Sequence, residues 1–200
     1  MTTTRGFTGR RGAEADEQRV PPGQYVTNDF PVLSAGPTPH APLDRWTLAL
    51  QDGGSLVGKW TWEEFQALPR TELTVDIHCV TKWSKLGTTW TGVSLDTLLA
   101  EVETEAEYLT AWCDGDYTTN LTVEDISDGK AWIAYEFEGE PLDPEHGGPA
   151  RLLVPHLYLW KSAKWIRRIT LTPFDEPGFW EAAGYHNHGD PWREQRYWND

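Results

Sequence analysis

Apolar residues along this chain come in short runs separated by turn-forming residues. The runs at 46–50, 73–79, 108–112, 131–135, 151–154 and 165–171 have strand length and strand composition, and they predict strands. Two stretches carry helix signals instead. Thr61-Trp62-Glu63-Glu64 sets a hydroxyl at an N-cap and a carboxylate three residues on, the capping-box spacing, and Pro69 ends the short helix that follows. From Val93 onward, apolar residues at 95, 98, 99 and 102 share one helical face and predict a second capped helix. Asp128-Gly129 and Gly147-Gly148-Pro149 mark turns, and Asp114 to Thr119 reads as another. Proline and glycine punctuate residues 21–42, which predicts an extended run over the body. With no internal repeat and no alternating βαβ pattern, the expected class is α+β, mixed and mainly antiparallel β with short helices.

The 200 residues fit one domain whose core needs no disulfide staples. Residues 1–20 read as a polar N-terminal arm and 21–200 as the domain. Lys and Arg number 17 against 31 Asp and Glu, and the resulting net charge of −14 repels a phosphate backbone, which argues against nucleic acid as a partner. Any anion bound here has to meet a local basic site. No apolar run approaches the roughly 18 to 20 residues of a spanning helix. Arg10-Arg11 resembles the start of an export signal, but Gly12 to Gln18 is polar where an apolar segment would follow, so the expected location is cytoplasmic.

Three stretches carry candidate chemistry. Cys79 sits where a strand ends and a polar loop, Val80-Thr81-Lys82-Trp83-Ser84, begins. Neither Cys79 nor Cys113, the only cysteines, belongs to a CxxC pair, so Cys79 is a buried apolar thiol, a nucleophile or a ligand to a soft metal. Lys82 would favour its thiolate, while His78, adjacent in a strand, points to the opposite face. The second stretch is His146-Gly147-Gly148-Pro149-Ala150-Arg151, followed by Lys161-Ser162-Ala163-Lys164. Its glycines allow a close backbone approach and its cations suit an anion, against the plainer reading of a solvated turn with surface lysines. The third is the Trp-rich end. There His186, His188 and Asp190 offer zinc-type ligands, although an aromatic wrap anchored by Trp180, Trp192 and Trp198 explains the composition as well.

Together these residues resemble the molybdopterin-binding domain of the sulfite oxidase family, most closely its small single-domain bacterial branch related to the methionine sulfoxide reductase catalytic subunit. The similarity runs from Val20 to Trp198. Cys79-Val80-Thr81-Lys82-Trp83-Ser84 matches the family's Cys-Val-x-x-Trp-Ser loop, which implies Cys79 as ligand to molybdenum, a soft donor beside the two dithiolene sulfurs of molybdopterin. His146 to Arg151 is similar to the pterin-binding turn, and Ser162-Ala163-Lys164 falls where relatives bind the cofactor. Asn28 and Asp29 look like the N-terminal cofactor segment, with Asp114 and Thr118 as further contacts. The resemblance implies a sulfite oxidase-type molybdopterin-binding fold and an oxidoreductase that moves an oxygen atom to or from a sulfoxide, N-oxide or sulfite-like substrate. Lys82 and Trp83, with Asn28 or Tyr185, would line the substrate side. Sulfite oxidases carry arginines at the positions of Thr27 and of Lys82-Trp83, so sulfite oxidation is expected to be poor, with Lys82 as a partial substitute. The absence of a haem module implies a separate electron-transfer protein. A cysteine-dependent hydrolase or transferase and a non-catalytic Trp-rich binding module are the alternatives.

Overall fold

The computed structural model describes residues 18–200. Residues 1–17 of the expected arm, with Arg10-Arg11, lie outside the described residues. In chain order the elements begin with β1 (Tyr25–Val26), β2 (Thr47–Asp52), β3 (Ser55–Thr61), α1 (Trp62–Gln66), β4 (Thr71–His78) and β5 (Trp83–Ser94). Next come α2 (Leu95–Leu99), β6 (Tyr108–Cys113), β7 (Thr118–Thr122), α3 (Val123–Ile126), β8 (Trp132–Phe137) and β9 (Glu140–Pro141). The last are β10 (Arg151–Leu153), β11 (Ile166–Thr172) and α4 (Phe179–Ala182).

These strands form two sheets. In one, β5 is the spine: it pairs antiparallel with β4 and β8 and, at Trp83 and Ser84, parallel with β1. β10 and β9 extend β8. The other sheet runs β3-β2-β11-β6-β7 and is antiparallel except where β11 lies beside β2. The mixed, mainly antiparallel class with short helices agrees with the pattern reading.

Strand alternation assigns the two faces of the first sheet to different tasks. Ile133 and Leu152 point into the main core, where they meet Leu48 and Leu50 of β2, Leu109 of β6 and Ile169 of β11. Their neighbours Ala134 and Leu153 point the other way, into a second cluster with Ile77, Trp90, Trp83 and Cys79. The thiol thus belongs to the outer cluster, away from the core between the sheets.

The capping box at Thr61 is formed in full, with Glu64 closing it, and α1 stops at Gln66 before Pro69. The second helix starts two residues later than expected, because Ser94 is its N-cap and Val93 still belongs to β5. The expected polar loop after Cys79 is a four-residue turn followed by a 12-residue strand. That strand was obscured by its threonines, which are buried as hydrogen-bonding groups: the Thr88 hydroxyl donates to the Val75 carbonyl and accepts from the Trp90 indole. The turn expected over Asp114 to Thr119 ends sooner, since β7 begins at Thr118. Among the described residues no helix is long and apolar enough to cross a membrane.

Candidate active site

Cys79 is the first residue past β4 and opens the turn into β5. Its amide donates to the Trp83 carbonyl at 2.8 Å, and its carbonyl accepts from Lys82 at 3.0 Å. Lys82 takes the left-handed conformation, φ 75°, that so tight a reversal requires. Two distant segments hold the turn from outside. Gln24 Nε2 donates to the Cys79 carbonyl at 3.1 Å, and Arg196 Nη1 donates to the Val80 carbonyl at 3.0 Å. The Cys79 sulfur accepts from the Thr81 hydroxyl at 3.1 Å. Burial pushes the thiol up, opposed by the bond from Thr81 and by the charge of Arg196.

His78 lies on the other side of the strand, where Nδ1 shares a 2.8 Å hydrogen bond with Ser84 Oγ. Burial lowers its pKa to about 4, so the ring is neutral. The hydrogen bond to the Cys79 sulfur thus comes from a hydroxyl, and the neighbouring imidazole is engaged elsewhere. The Cys–His geometry of a thiol hydrolase is not present between these two residues.

The sulfur faces a cleft of about 600 Å³. Cys79 and Trp83 form one wall, and Arg151, Ser162, Ala163 and Lys164 another. Asp114 and Tyr117 come from the β6–β7 connection, Trp180 and Tyr185 from the C-terminal wrap, and most of Phe30 to Pro39 adds a further lining segment. Trp180 and Tyr185 stack with ring centres 5.0 Å apart, and Trp160 meets Tyr185 edge-on.

Among the sequence-predicted residues, the cleft brings together Cys79, Trp83, Asp114, Arg151, Ser162, Ala163 and Lys164. Asn28, Asp29, Lys82, Thr118 and His146 do not line it. Lys82 is exposed on the outside of the turn, and Asn28 is exposed with its carbonyl accepting from Lys85. His146 stacks on Phe30 at 3.9 Å, behind the wall. Pattern reading missed Tyr117, Trp160 and the Phe30–Pro39 strap, which reach the cleft through tertiary packing alone. His186 and His188, considered for zinc, are used locally: His186 Nδ1 accepts from the amides of His188 and Gly189, and His188 bonds Asp125 and Gln195. Among the described residues no cluster of three or more His, Cys, Asp or Glu is placed to hold a metal ion.

The two cations at the far wall define its chemistry. Arg151 is fully buried, and its guanidinium donates to the carbonyls of His146 (2.8 Å) and Ser162 (2.5 Å). Lys164 Nζ donates to the carbonyls of Leu33 (2.8 Å) and Glu145 (2.6 Å). Neither has a carboxylate partner among the described residues. Burial lowers Arg151 to about 10, and burial together with the charge of Arg151 lowers Lys164 to about 8. Two desolvated positive charges without an ion-pair partner are costly, and an anion in the cleft would relieve that cost. The glycines serve this arrangement differently from expectation. A Cβ at Gly147 would lie 3.0 Å from Arg151 Cβ and 3.1 Å from Lys164 Cβ, and one at Gly148 would lie 2.1 Å from the Leu142 carbonyl oxygen. Their missing side chains let the turn pack under the two cations, so the close approach they permit is to the chain itself.

The family described as "Oxidoreductase molybdopterin binding domain" matches residues 35–180, nearly three quarters of the chain. The chain belongs to this family. It is 43% identical to "Uncharacterized oxidoreductase YuiH" of Bacillus subtilis (strain 168), over 96% of this chain and 98% of that protein. It is 26% identical to "Protein-methionine-sulfoxide reductase catalytic subunit MsrP" of Pseudomonas syringae pv. tomato, over 73% of this chain, and it spans about half of that protein (49%). The fold is also that of the sulfane dehydrogenase SoxCD from Paracoccus pantotrophus, with a TM-score of 0.61 at 24% identity over 68% of this chain and 40% of that one. The chain is therefore an oxidoreductase with a sulfite oxidase-type fold, and its cofactor is molybdopterin. The residues present fit that group: a soft sulfur donor and an uncompensated cation pair face one cleft.

Proposed function

We propose that Cys79 ligates molybdenum and that the chain transfers an oxygen atom to or from a small uncharged substrate, such as a sulfoxide or N-oxide. The observation that carries this reading is the shared cleft, with a buried thiol at one wall and the Arg151–Lys164 pair at another. When bound, the cofactor supplies the two-electron redox chemistry. Arg151 and Lys164 would hold its anionic end, with Ser162, Ala163 and Asp114 beside them. Cys79 must give up its proton to become a ligand, and the Thr81 hydroxyl then donates to the sulfur. Trp83, Trp180 and Tyr185 form the wall around the sulfur, excluding bulk water and orienting an apolar substituent.

Substrate charge follows from which cations are free. Arg151 and Lys164 are committed to carbonyls and to the cofactor end, and Lys82 points away from the cleft. An oxyanion beside Cys79 would therefore meet aromatic rings where it needs guanidinium groups, and sulfite should be a poor substrate. Electrons are proposed to come from a separate redox protein. The test is expression in a molybdenum-cofactor-competent host, with an expected content of about one molybdenum and one pterin per chain, and reduction of a neutral sulfoxide or N-oxide faster than oxidation of sulfite. Zinc or no metal in such a preparation would refute the cofactor assignment, and efficient sulfite oxidation with an artificial acceptor would refute the substrate class.

A further inference from the structure

Val80, directly after the proposed metal ligand, lines the cleft, and its carbonyl accepts from the C-terminal wrap. There it meets Arg196, which does not line the cleft and is only 7% exposed. One arm of the guanidinium donates to the Val80 carbonyl at 3.0 Å and the other to the Pro22 carbonyl at 3.3 Å. Its carbon lies 5.0 Å over the Tyr158 ring, and Tyr158 is fully buried beside His78, with which it forms a bridge at the end of β4. Glu194 is 3.8 Å away and largely exposed, too distant and too wet to be the main partner. The backbone at 196 is fixed separately, because the Asp200 carboxylate accepts from its amide at 2.9 Å and its carbonyl accepts from His186 at 3.1 Å. Gly23 leaves the room needed, since a Cβ there would come within 3.2 Å of Arg196 Nη2. A planar fork, held rigidly and aimed at two backbone carbonyls from separate segments, is a device for setting position.

We propose that Arg196 is a positioning residue for the oxygen-transfer reaction: it fixes the turn that carries Cys79 without touching cofactor or substrate. Its bearing on the reaction rests on Cys79 being the molybdenum ligand, as proposed above. A catalytic constellation tolerates only about 0.5 Å of displacement before geometry is lost. The turn has few other restraints of its own, as Thr81 and Lys82 are exposed. Its remaining ties are the two backbone bonds between Cys79 and Lys82 or Trp83, the Tyr25 amide donating to the Lys82 carbonyl at 2.9 Å, the Thr81 hydroxyl on the sulfur, and the bond from Gln24; none of these reaches Val80. Freeing the Val80 carbonyl therefore loosens the sulfur's position first and the sheet beyond it last.

The experiment compares wild type with Arg196→Ala, Arg196→Lys and Glu194→Gln. Amide hydrogen exchange of the Cys79 to Trp83 turn is followed in cofactor-free protein, and the Mo(V) electron paramagnetic resonance signal in cofactor-loaded protein. Arg196→Ala should speed exchange in the turn by about tenfold or more, as expected on losing a hydrogen bond from a charged donor. It should leave the middle of β5 protected and shift or broaden the Mo(V) signal at unchanged pterin content. Arg196→Lys, able to reach one carbonyl, should restore part of both effects, and Glu194→Gln should match wild type. Should Arg196→Ala not fold, Arg196→Lys carries the same comparison. Wild-type exchange in the turn together with a wild-type Mo(V) signal in the Arg196 variants, whatever their melting temperature, would overturn the proposal. A wild type lacking molybdenum would instead defeat the cofactor assignment, while the exchange data still decide whether Arg196 holds the turn.

Discussion

Replacing Lys161 by methionine isolates the buried ion pair beneath the cleft. Lys161 Nζ lies 2.6 Å from Glu181 Oε1, with side chains 0% and 1% exposed. The ammonium also donates to the Asn120 carbonyl (2.8 Å) and to Asn120 Oδ1 (3.1 Å), so all its protons are used. The same Glu181 oxygen accepts from the Thr119 hydroxyl at 2.8 Å and from the Trp160 indole at 2.9 Å, while Oε2 has no partner among the described residues. Lys161→Met keeps the volume but strands a carboxylate out of reach of water. Breaking such a pair from one side costs about 3 to 5 kcal/mol. At about 2 to 4 °C per kcal/mol for a chain of this size, the melting temperature should fall by about 6 to 20 °C. The double variant Lys161→Met/Glu181→Leu removes both charges and should recover part of the loss. What remains is the acceptor missed by Trp160 and Thr119, about 1 to 3 kcal/mol for each buried donor left unpaired. Equilibrium denaturant unfolding of cofactor-free protein is the measurement, since bound cofactor would mask the difference. A single-variant cost below about 1 kcal/mol, or a double variant no better than the single, would refute the reasoning.

Two further outcomes follow from the site. Anion binding raises the pKa of Lys164 from about 8, so a proton is taken up on binding above that pH. Cofactor retention should weaken by up to about tenfold per pH unit above pH 8, and Lys164→Gln should flatten the profile measured by pterin content. In the cofactor-free chain the sign reverses for stability. Between about pH 8 and the ordinary 10.5 the unfolded chain holds this proton and the folded chain does not, so this group favours folding as pH rises through that window. Cys79→Ser should retain pterin and abolish turnover, whereas Cys113→Ala should cost no more than about 1 to 2 kcal/mol and leave the Mo(V) signal unchanged. A changed signal only in Cys113→Ala would move the ligand to the other cysteine.

Local signals survived translation into structure where they were chemically self-contained. The Thr61 capping box and the Gly147-Gly148-Pro149 turn each depend on neighbours within a few residues, and each was legible. The Cys79 loop was legible in part, since Trp83 and Ser84 of the expected loop already belong to β5. β5 was not legible: Thr88 and Thr91 are buried polar residues, the Thr88 hydroxyl donating across to β4, so period-two hydrophobicity is broken at positions that are nonetheless interior. The cleft's aromatic wall failed for a related reason. Tyr117 and Trp160 lie 43 residues apart and are joined by one hydrogen bond, from the Tyr117 hydroxyl to the Trp160 carbonyl, which no local pattern announces. Arg196 and Gln24 were invisible for the same cause, since their importance lies wholly in the carbonyls they reach.

The clasp on the thiol turn also sets an order of events in the making of the protein. The bonds from Arg196 to Val80 and Pro22 span sequence separations of 116 and 174 residues. During synthesis β4 and β5 can pair as a hairpin, with Gln24 and Tyr25 already made, but the turn between them acquires its bond from Arg196 only after residue 196 has been made. Closing contacts over such lengths is entropically late in folding as well. The set of bonds that holds the sulfur's turn is therefore completed only when the end of the chain has docked.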